Sequence, residues 1–344
     1  MKPNRRNIVI AAASAAIALM TCFSAAPALA QSAKSLKLSH QFPASSGDEG
    51  DFRDRLARKF AAEVDKRTNG GLKIEIYPNG SLVKTFSQFG ALRKGQLEMS
   101  VLPLAYGGGE VPEVNLTLMP AMIQSYEQGM RWKDAPIGKE LSRILEEKGI
   151  KIVAWVWQAG GIASRGEPIL APASAKGMKI RGGSKEMDMA IKEAGGAVTN
   201  VPSNEIYNAM STGVLDAALT SSTSLISFRL SETAKSVTTA RDKCIWFMFE
   251  PLLISMAAWG TLTPEQQKIV MEVGAELEPF AVKEAKADDQ ALADVFAKAG
   301  AKVVDMNEAQ YAEWLEIAKV SAYKDFATRV KNGQQLLDMA LSVR

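Results

Sequence analysis

Arg181 is the residue of this sequence whose position most strongly suggests chemistry. It ends the segment Lys176-Gly177-Met178-Lys179-Ile180-Arg181 and precedes Gly182-Gly183, so a glycine turn leads into a short strand that ends on an arginine. Ligands of open α/β sheets bind at the carboxyl ends of strands, and a guanidinium presents a planar fork of donors that fits a carboxylate. The pattern predicts an anion-binding arginine. A surface arginine paired with a structural acid is the alternative.

Few residues are of the kind that enzymes use as nucleophiles or metal ligands. The chain has one histidine, His40, and two cysteines, Cys22 and Cys244. A zinc site built from His and Cys needs about four such ligands, and the carboxylates are scattered without a conspicuous pair. We therefore predict no catalytic residue, no metal site and no cofactor. A secreted enzyme that uses Cys244 or a serine with His40 as its base is the alternative.

One glycine run and several tryptophans could also belong to a site. Gly107-Gly108-Gly109 lacks the Lys-Ser/Thr pair of a P-loop and the GxGxxG spacing, so it is interpreted as a turn. Trp155, Trp157 and Trp246 lie in apolar runs typical of core strands. Because successive strand residues face opposite sides, some of these rings could instead line a cleft.

Residues 1–30 have the pattern of a secretory signal peptide. The basic start Met1–Arg6 is followed by the apolar run Ile8–Ala26 and by Ala28-Leu29-Ala30, which is the order of n-region, h-region and cleavage site. A membrane anchor is the alternative, since about 19 apolar residues could span a bilayer. We expect cleavage after Ala30 and export to the periplasm. Cys244 would then be the one remaining thiol, so no internal disulfide is expected.

The charge balance argues against nucleic acid as a partner. The chain has 41 basic and 38 acidic residues, and the predicted signal peptide carries three of the basic ones and no acid. A mature chain of balanced charge lacks the broad basic surface that binds nucleic acid. With 344 residues, 47% hydrophobic and 23% charged, the composition is that of a globular protein of about two domains.

The elements that position these residues alternate between strand and helix. Period-two patterns predict strands at 35–40, 72–77, 97–102, 151–157, 179–181, 197–200, 215–219, 246–257 and 302–304. Helical spacing and capping residues predict helices at 49–67, 85–94, 129–148, 185–194, 204–212 and over most of 264–300 and 307–340. Such alternation favours α/β units with largely parallel sheets.

The central part of the chain resembles the substrate-binding subunits of TRAP (tripartite ATP-independent periplasmic) transporters, of the dicarboxylate-binding-protein type. The resemblance rests on Gly177–Arg181, Gly195–Ala197 and Val201–Ala217, with supporting segments at 77–82, 92–99 and 259–267. Two positions depart from the family pattern. Ala218-Leu219-Thr220 stands where members often have Gln-Glu-Asn, and the usual Leu-Pro-Phe element is less clear at 118–121.

This resemblance implies an α/β fold of two lobes, the periplasmic solute-binding protein fold, with a ligand cleft between the lobes and a long helix spanning both. We expect one lobe to comprise 31–157 with about 246–285, and the other 158–245 with about 286–344.

The resemblance also implies a periplasmic receptor, not an enzyme, that captures an organic acid anion. It would deliver the anion to the small and large membrane subunits of a TRAP permease. We expect a monomer. A subunit that feeds a sensor, and a receptor whose metal ion bridges the carboxylate, are the alternatives. Mono- and dicarboxylates, aromatic acids and sugar acids all remain open as ligands.

Site residues follow from the same resemblance. Arg181 matches the family's cleft arginine and is expected to hold the carboxylate in a bidentate pair. Arg165 matches a second basic position that either contacts ligand or is structural. The hydroxyls of Thr220 and Ser221 would replace the missing Asn amide. The other residues expected around the ligand are Gln41, Tyr106, Gln158, Asn204 and Trp246, whereas Glu205 and Tyr207 are expected to brace the lobe.

Overall fold

The computed structural model describes residues 34–344, and the predicted signal peptide lies outside these residues. The described chain contains twelve strands in two sheets. In chain order they are β1 (Lys34–His40), β2 (Leu72–Tyr77), β3 (Met99–Val101), β4 (Ile150–Ala154), β5 (Trp157–Ser164), β6 (Lys179–Arg181), β7 (Ala197–Val198), β8 (Ala217–Ser221), β9 (Ser236–Thr239), β10 (Trp246–Phe249), β11 (Leu252–Ser255) and β12 (Lys302–Asp305).

Twelve α-helices accompany these strands. They are α1 (Phe52–Arg67), α2 (Gln88–Arg93), α3 (Tyr126–Arg131), α4 (Pro136–Glu147), α5 (Lys185–Glu193), α6 (Ile206–Ser211), α7 (Ser222–Ser227), α8 (Met256–Trp259), α9 (Pro264–Lys298), α10 (Glu308–Ala318), α11 (Lys324–Arg329) and α12 (Gly333–Leu341). A π-helical turn, Lys319–Tyr323, joins α10 to α11. This count of helices refers to residues 34–344.

The two sheets contain both parallel and antiparallel strands. The first sheet has the order β2-β1-β3-β11-β4, and the second β12-β9-β5-β8-β6-β7, with β10 also paired to β5. Five of the ten strand pairings are antiparallel, so the prediction of largely parallel sheets is wrong. Each of the five involves β5 or β11. These are the strands that the chain enters directly from the other sheet, and they run against their neighbours.

The chain passes directly between the sheets at two places. β4 ends at Ala154 in the first sheet and β5 begins at Trp157 in the second, whereas β10 and β11 are separated by Glu250-Pro251. Each crossing was predicted as part of one continuous strand, because residues on both sides of it are apolar and buried. The crossings are hydrogen-bonded to each other, from Glu250 N to Val156 O at 2.8 Å. They therefore form a narrow two-stranded ribbon between the sheets.

The long helix α9 packs against elements of both sheets. Its 35 residues contact α1 and β4 on one side and α7, β5 and β9 on the other. Thr263 and Gln266 form a reciprocal capping box at its start, a pattern set by residues three positions apart in the sequence. Pro279 lies inside the helix, where its missing N–H removes one backbone hydrogen bond.

Two other predicted helices are interrupted. The segment 129–148 is divided into α3 and α4 at Pro136, which occupies the first turn of α4, a position that accepts proline. The segment 307–340 is divided into α10, the π-helical turn, α11 and α12. Helical periodicity continues through both interruptions, so the sequence pattern does not reveal them.

Apolar side chains form the core on both faces of each sheet. Around the first sheet, Leu38, Phe60 and Val101 are fully buried, and around the second, Ala218, Leu225 and Phe296 are. Burial of each large apolar side chain stabilises the fold by about 1.5–3 kcal/mol. No helix within residues 34–344 has both the length and the apolarity needed to cross a membrane.

Candidate functional site

Arg181 is held at the carboxyl end of β6, within the second sheet. β6 pairs in parallel with β8, with Arg181 opposite Ala218, and Gly177 makes the preceding turn at a φ of +76°. The side chain is 1% exposed. Its Nε donates to Val201 O at 3.1 Å and its Nη1 to Leu219 O at 2.7 Å. Two backbone carbonyls thus fix the orientation of the guanidinium and leave further N–H donors of its five.

Tyr106 reaches Arg181 from the other sheet. It lies in a 3₁₀ turn after β3 of the first sheet. Its hydroxyl oxygen accepts hydrogen bonds from Arg181 Nη2 at 2.7 Å and from Ser203 N at 3.1 Å. The neighbouring Asn204 accepts a hydrogen bond at 3.2 Å from the Thr85 hydroxyl, which also belongs to the first-sheet side. These contacts join the two sides of the structure next to Arg181.

Trp246 and Thr220 form the adjoining wall. The Trp246 indole donates to Gly182 O at 2.8 Å and is 1% exposed. The ring lies against Gly160, where an added Cβ would stand 2.3 Å from the indole and 2.3 Å from Thr220 O. Only glycine fits at this position, so β5 brings the indole and Thr220 close together beside Arg181.

A cavity of about 430 Å³ adjoins the Arg181–Tyr106 contact. It is lined by Phe86, Tyr106, Asn115, Gly183, Asp188 and Lys192, among others. Burial raises the pKa of Asp188 to about 6, against the opposing charge of Arg181. A volume of this size accommodates a small molecule. A larger groove, of about 860 Å³, lies beside Gln128 and Tyr323 and shares no lining residue with this cavity.

A second buried arginine, Arg53, lies near the crossings between the sheets. It is the second residue of α1 and is fully buried. Asp51 holds it with two contacts, Nε–Oδ1 at 2.8 Å and Nη2–Oδ2 at 2.6 Å. Its carbon Cζ stacks 3.7 Å from the centre of the Phe42 ring. Sequence reasoning missed Arg53, and the available signal was the pair Asp51–Arg53 at a helix start.

Arg53 organises a group of polar side chains that we call the Arg53 cluster. It comprises Arg53, Asp51, Gln158, Ser221, Ser224 and Glu250. Arg53 Nη1 contacts Ser224 Oγ at 3.1 Å and Glu250 Oε2 at 3.1 Å, and Gln158 Nε2 donates to the same Glu250 oxygen. Burial raises the pKa of Glu250 to about 7, although Arg53 opposes the shift. Two predicted site residues, Gln158 and Ser221, belong to this cluster.

Three of the buried polar side chains with unpaired atoms lie near Arg53 or next to the residue on which it stacks. Among the described residues, both amide atoms of Gln41, Oε1 of Gln158 and Oε1 of Glu250 have no hydrogen-bond partner. Gln41 follows β1 and precedes Phe42, the ring on which Arg53 stacks. Each of the three residues is at most 1% exposed. Buried polar atoms without partners are rare and call for a specific explanation.

Arg165 is not brought together with Arg181. It follows β5 directly, beside the start of β8, whereas the Arg181 guanidinium lies further along β8, at Leu219 O. Its N–H donates to Asp216 O at 2.9 Å, and its guanidinium lies over Gly213. The position of Arg165 therefore favours its structural interpretation over a contact with ligand.

The remaining aromatic candidates and His40 contact other residues of the fold. Trp157 is fully buried, with its ring 5.3 Å from that of Trp132. Tyr207 donates to Glu232 at 3.0 Å, on the surface. His40 uses both ring nitrogens, with Asp54 at 3.0 Å and Phe42 N at 3.2 Å.

Cys244 is not arranged as a nucleophile, because burial raises the pKa of its thiol to about 12. Its thiol contacts Trp246 O at 3.5 Å, whereas a nucleophilic cysteine needs a base within hydrogen-bond reach. Across 34–344, no three side chains of His, Cys, Asp or Glu stand close enough to hold a metal ion.

Comparison with known proteins agrees with this architecture. The family model described as bacterial extracellular solute-binding protein, family 7, matches residues 46–329. A solute-binding protein of Albidiferax ferrireducens is 56% identical over 305 residues, which is 89% of this chain and 90% of the relative.

Solved structures extend the comparison. A TRAP periplasmic solute-binding protein from Rhodoferax ferrireducens, with bound malonate, is 56% identical at a TM-score of 0.88, covering 90% of this chain and 98% of that one. A Bordetella pertussis extracytoplasmic solute receptor that binds pyroglutamic acid is 25% identical at a TM-score of 0.78, covering 90% and 99%. They confirm the predicted two-lobed α/β fold with its long helix. These relatives are solute-binding proteins and not enzymes, which excludes the secreted-enzyme alternative. The chain belongs to the bacterial extracellular solute-binding protein family 7, as the substrate-binding protein of a TRAP transporter.

Proposed function

We propose that this TRAP solute-binding protein takes up a small organic acid and that Arg181 holds its carboxylate. The observation that carries the proposal is the position of Arg181. The guanidinium is buried and oriented by the carbonyls of Val201 and Leu219. It contacts Tyr106, which lines a cavity of about 430 Å³. A buried cation with free donors is suited to a carboxylate. Malonate and pyroglutamic acid, the ligands of two relatives, are both organic acids.

The rest of the proposed site surrounds this anchor. Tyr106, Trp246 and Thr220 form its walls, and Asn204 stands beside Tyr106 through the adjacent Ser203. Gln41, Gln158 and Ser221 lie towards the crossings. Arg165 is left out, because its guanidinium lies over Gly213.

The proposed cleft lies between two lobes. We place the boundary between the lobes at the crossings. β10 pairs with β5 of the second sheet and β11 with β3 and β4 of the first. The lobe boundaries are therefore drawn near residues 155 and 250, slightly shifted from the sequence expectation of 157 and 246. The division of α9 near 285 is kept as expected.

Delivery follows from the family role of these proteins. We propose that the mature chain, released by cleavage after Ala30, acts in the periplasm as a monomer. It would hand its ligand to the small and large membrane subunits of a TRAP permease. The support is the n-region, h-region and Ala-Leu-Ala site of residues 1–30.

The test is ligand binding by three forms of the mature chain 31–344: wild type, Arg181→Ala and, as the matched control, Arg165→Ala. Each is screened by thermal unfolding against mono- and dicarboxylates of three to eight carbons, keto acids, benzoates and uronic acids. A ligand at a hundredfold excess over Kd adds about 2.7 kcal/mol to the free energy of unfolding. That should raise the midpoint by about 5 °C or more.

Wild type and Arg165→Ala should show the same shift, and Arg181→Ala should lose it. Removing Arg181 leaves the ligand's carboxylate buried without its partner, which costs about 2–5 kcal/mol. Equal binding by Arg181→Ala and wild type would overturn the assignment. If no acid shifts the midpoint, mass spectrometry of the denatured wild type shows whether an acid has copurified, and finding none would contradict the proposed function.

A further inference from the structure

The Arg53 cluster and Arg181 contact neighbouring positions of one strand, β8. Both arginines are anchored on the same strand: Arg181 donates to Leu219 O, and Arg53 contacts the Ser221 hydroxyl at 3.3 Å. Leu219 and Ser221 are two residues apart on β8, about 7 Å. Trp246 and Thr220 lie between them, packed against Gly160. The cluster thus stands at the far end of the wall that begins at Arg181.

Arg53 is largely committed to neighbouring side chains. Asp51 occupies Nε and Nη2, and Glu250 with the two serines occupies Nη1. The cluster holds two acids and one cation, so its net charge is negative when Glu250 is ionised. A second carboxylate of a ligand would therefore meet repulsion there, and unpaired like charges are an effective means of rejecting a wrong ligand.

The free atoms of this region are mainly hydrogen-bond acceptors. Within residues 34–344, Oε1 of Glu250 and Oε1 of Gln158 are buried without a donor, and both side chains are at most 1% exposed. The two residues touch each other through Gln158 Nε2 and Glu250 Oε2, so both free oxygens belong to one pair of side chains in contact. The Gln41 amide, buried next to Phe42, adds one more acceptor and one donor. A site built to accept hydrogen bonds discriminates strongly against a ligand that lacks the donor.

We infer that Glu250 and Gln158 form a subsite that selects monocarboxylates bearing an O–H or N–H donor at the end opposite to the carboxylate. This inference rests on the proposed function, since Arg181 must hold the carboxylate. Glu250 is the specificity-determining residue: it supplies the free acceptor and the negative charge that excludes a second carboxylate. The bound ligands of the two relatives differ in this respect, because malonate carries a second carboxylate and pyroglutamic acid a ring N–H.

The experiment compares ligands of equal carbon number by isothermal titration calorimetry at pH 8, where Glu250 is ionised. The pairs are 3-hydroxypropionate with malonate, and 4-hydroxybutyrate or 4-aminobutyrate with succinate. The mature wild-type protein should bind the donor-bearing member of each pair at least about tenfold more tightly. A preference for malonate or succinate in the unmodified protein would overturn the inference without any variant.

Glu250→Gln then tests the residue itself, with the exposed Glu265→Gln as matched control. The amide removes the charge and presents an N–H, so the preference for the donor-bearing acid should fall about tenfold, while Glu265→Gln keeps it. An unchanged preference in a folded Glu250→Gln protein would overturn the role of Glu250. If Glu250→Gln does not fold, Gln158→Met replaces it with the same expectation. Binding that depends on Arg181 but shows no preference refutes only this subsite, whereas loss of all acid binding refutes the proposed function.

Discussion

Arg181 and Tyr106 come from opposite sheets and share one hydrogen bond of 2.7 Å, from the guanidinium Nη2 to the phenol oxygen. The same oxygen accepts the Ser203 N–H at 3.1 Å. A single hydroxyl of the first-sheet side therefore satisfies two donors of the second-sheet side. This contact exists only when the two sides are together, so it links the position of the proposed anion anchor to closure of the proposed cleft.

Tyr106→Phe should weaken ligand binding about tenfold. It removes two hydrogen bonds of the closed structure, one of them charge-assisted and worth about 1.5–3 kcal/mol, while the ring remains. Calorimetric titration with the acid identified by the screen measures the effect. A tighter Kd in the variant would show instead that the hydroxyl competes with the ligand's carboxylate for Arg181.

Gly160→Ala should both destabilise the fold and impair binding. The added Cβ would lie 2.3 Å from Thr220 O, a backbone atom, and 2.3 Å from the Trp246 ring, so the strands or the indole must move. Overpacking of this kind costs about 1–3 kcal/mol. Gly166→Ala is the control, because a Cβ there meets nothing within 4 Å. Thermal unfolding and ligand titration of both variants test this prediction. Equal midpoints and equal affinities would contradict the packing described.

Arg53→Ala should be among the most destabilising changes of an arginine in this chain. It leaves Asp51 and Glu250 buried without their cation, and breaking a buried ion pair in this way costs about 3–5 kcal/mol. Arg143, whose side chain is 52% exposed beside Glu140 and Glu147, provides the comparison. Arg143→Ala should cost less than about 1 kcal/mol. Urea unfolding of the two variants should separate them clearly, and similar midpoints would refute the prediction.

The ligand-free protein should be more stable at pH 5.5 than at pH 8. Burial raises the pKa of Glu186 and Glu250 to about 7 and that of Asp188 and Asp289 to about 6. The folded state then binds protons that the unfolded state has released, so the free energy of unfolding falls as pH rises from about 4 to about 7. We expect a midpoint at least about 3 °C lower at pH 8.

Glu186→Gln measures how much one of these acids contributes to the pH dependence of stability. Glu186 lies outside the proposed cleft. Glu186 is fully buried, holds Arg329 at 3.0 Å through one oxygen, and leaves the other without a partner among the described residues. The neutral variant should lose less stability between pH 5.5 and pH 8 than wild type. The pKa of Asp54 is lowered, so this residue does not change its charge between pH 5.5 and pH 8. A pH profile identical to that of wild type would contradict the assignment.

The local structure around Arg181 could be predicted because its signal is local. A glycine at positive φ, a three-residue strand and an arginine at its end are all adjacent in the chain, and the structure has them as expected. The capping box of α9 and the amphipathic helix α1 were predictable for the same reason. Each depends on residues within a few positions of one another.

Features that depend on distant partners could not be predicted in this way. The crossings at residues 155–156 and 250–251 interrupt apolar runs that remain buried on both sides, so periodicity continues through them. Arg53 resembles an ordinary helix-start arginine until Glu250 and Ser221 are placed beside it. The expectation for Arg165 left open a ligand contact or a structural role, and only the folded structure shows its guanidinium over Gly213.

The ribbon of the two crossings has a mechanical consequence. Two short segments, hydrogen-bonded to each other by Glu250 N and Val156 O, connect the sheets, and the φ of Pro251 is fixed by its ring. Sliding or twisting one sheet past the other would break strand pairing on both sides of the ribbon. Bending about the line across it would change only a few backbone torsions. The connection between the sheets therefore permits essentially one rotational degree of freedom, and the removal of one helical hydrogen bond at Pro279 lets α9 bend with it.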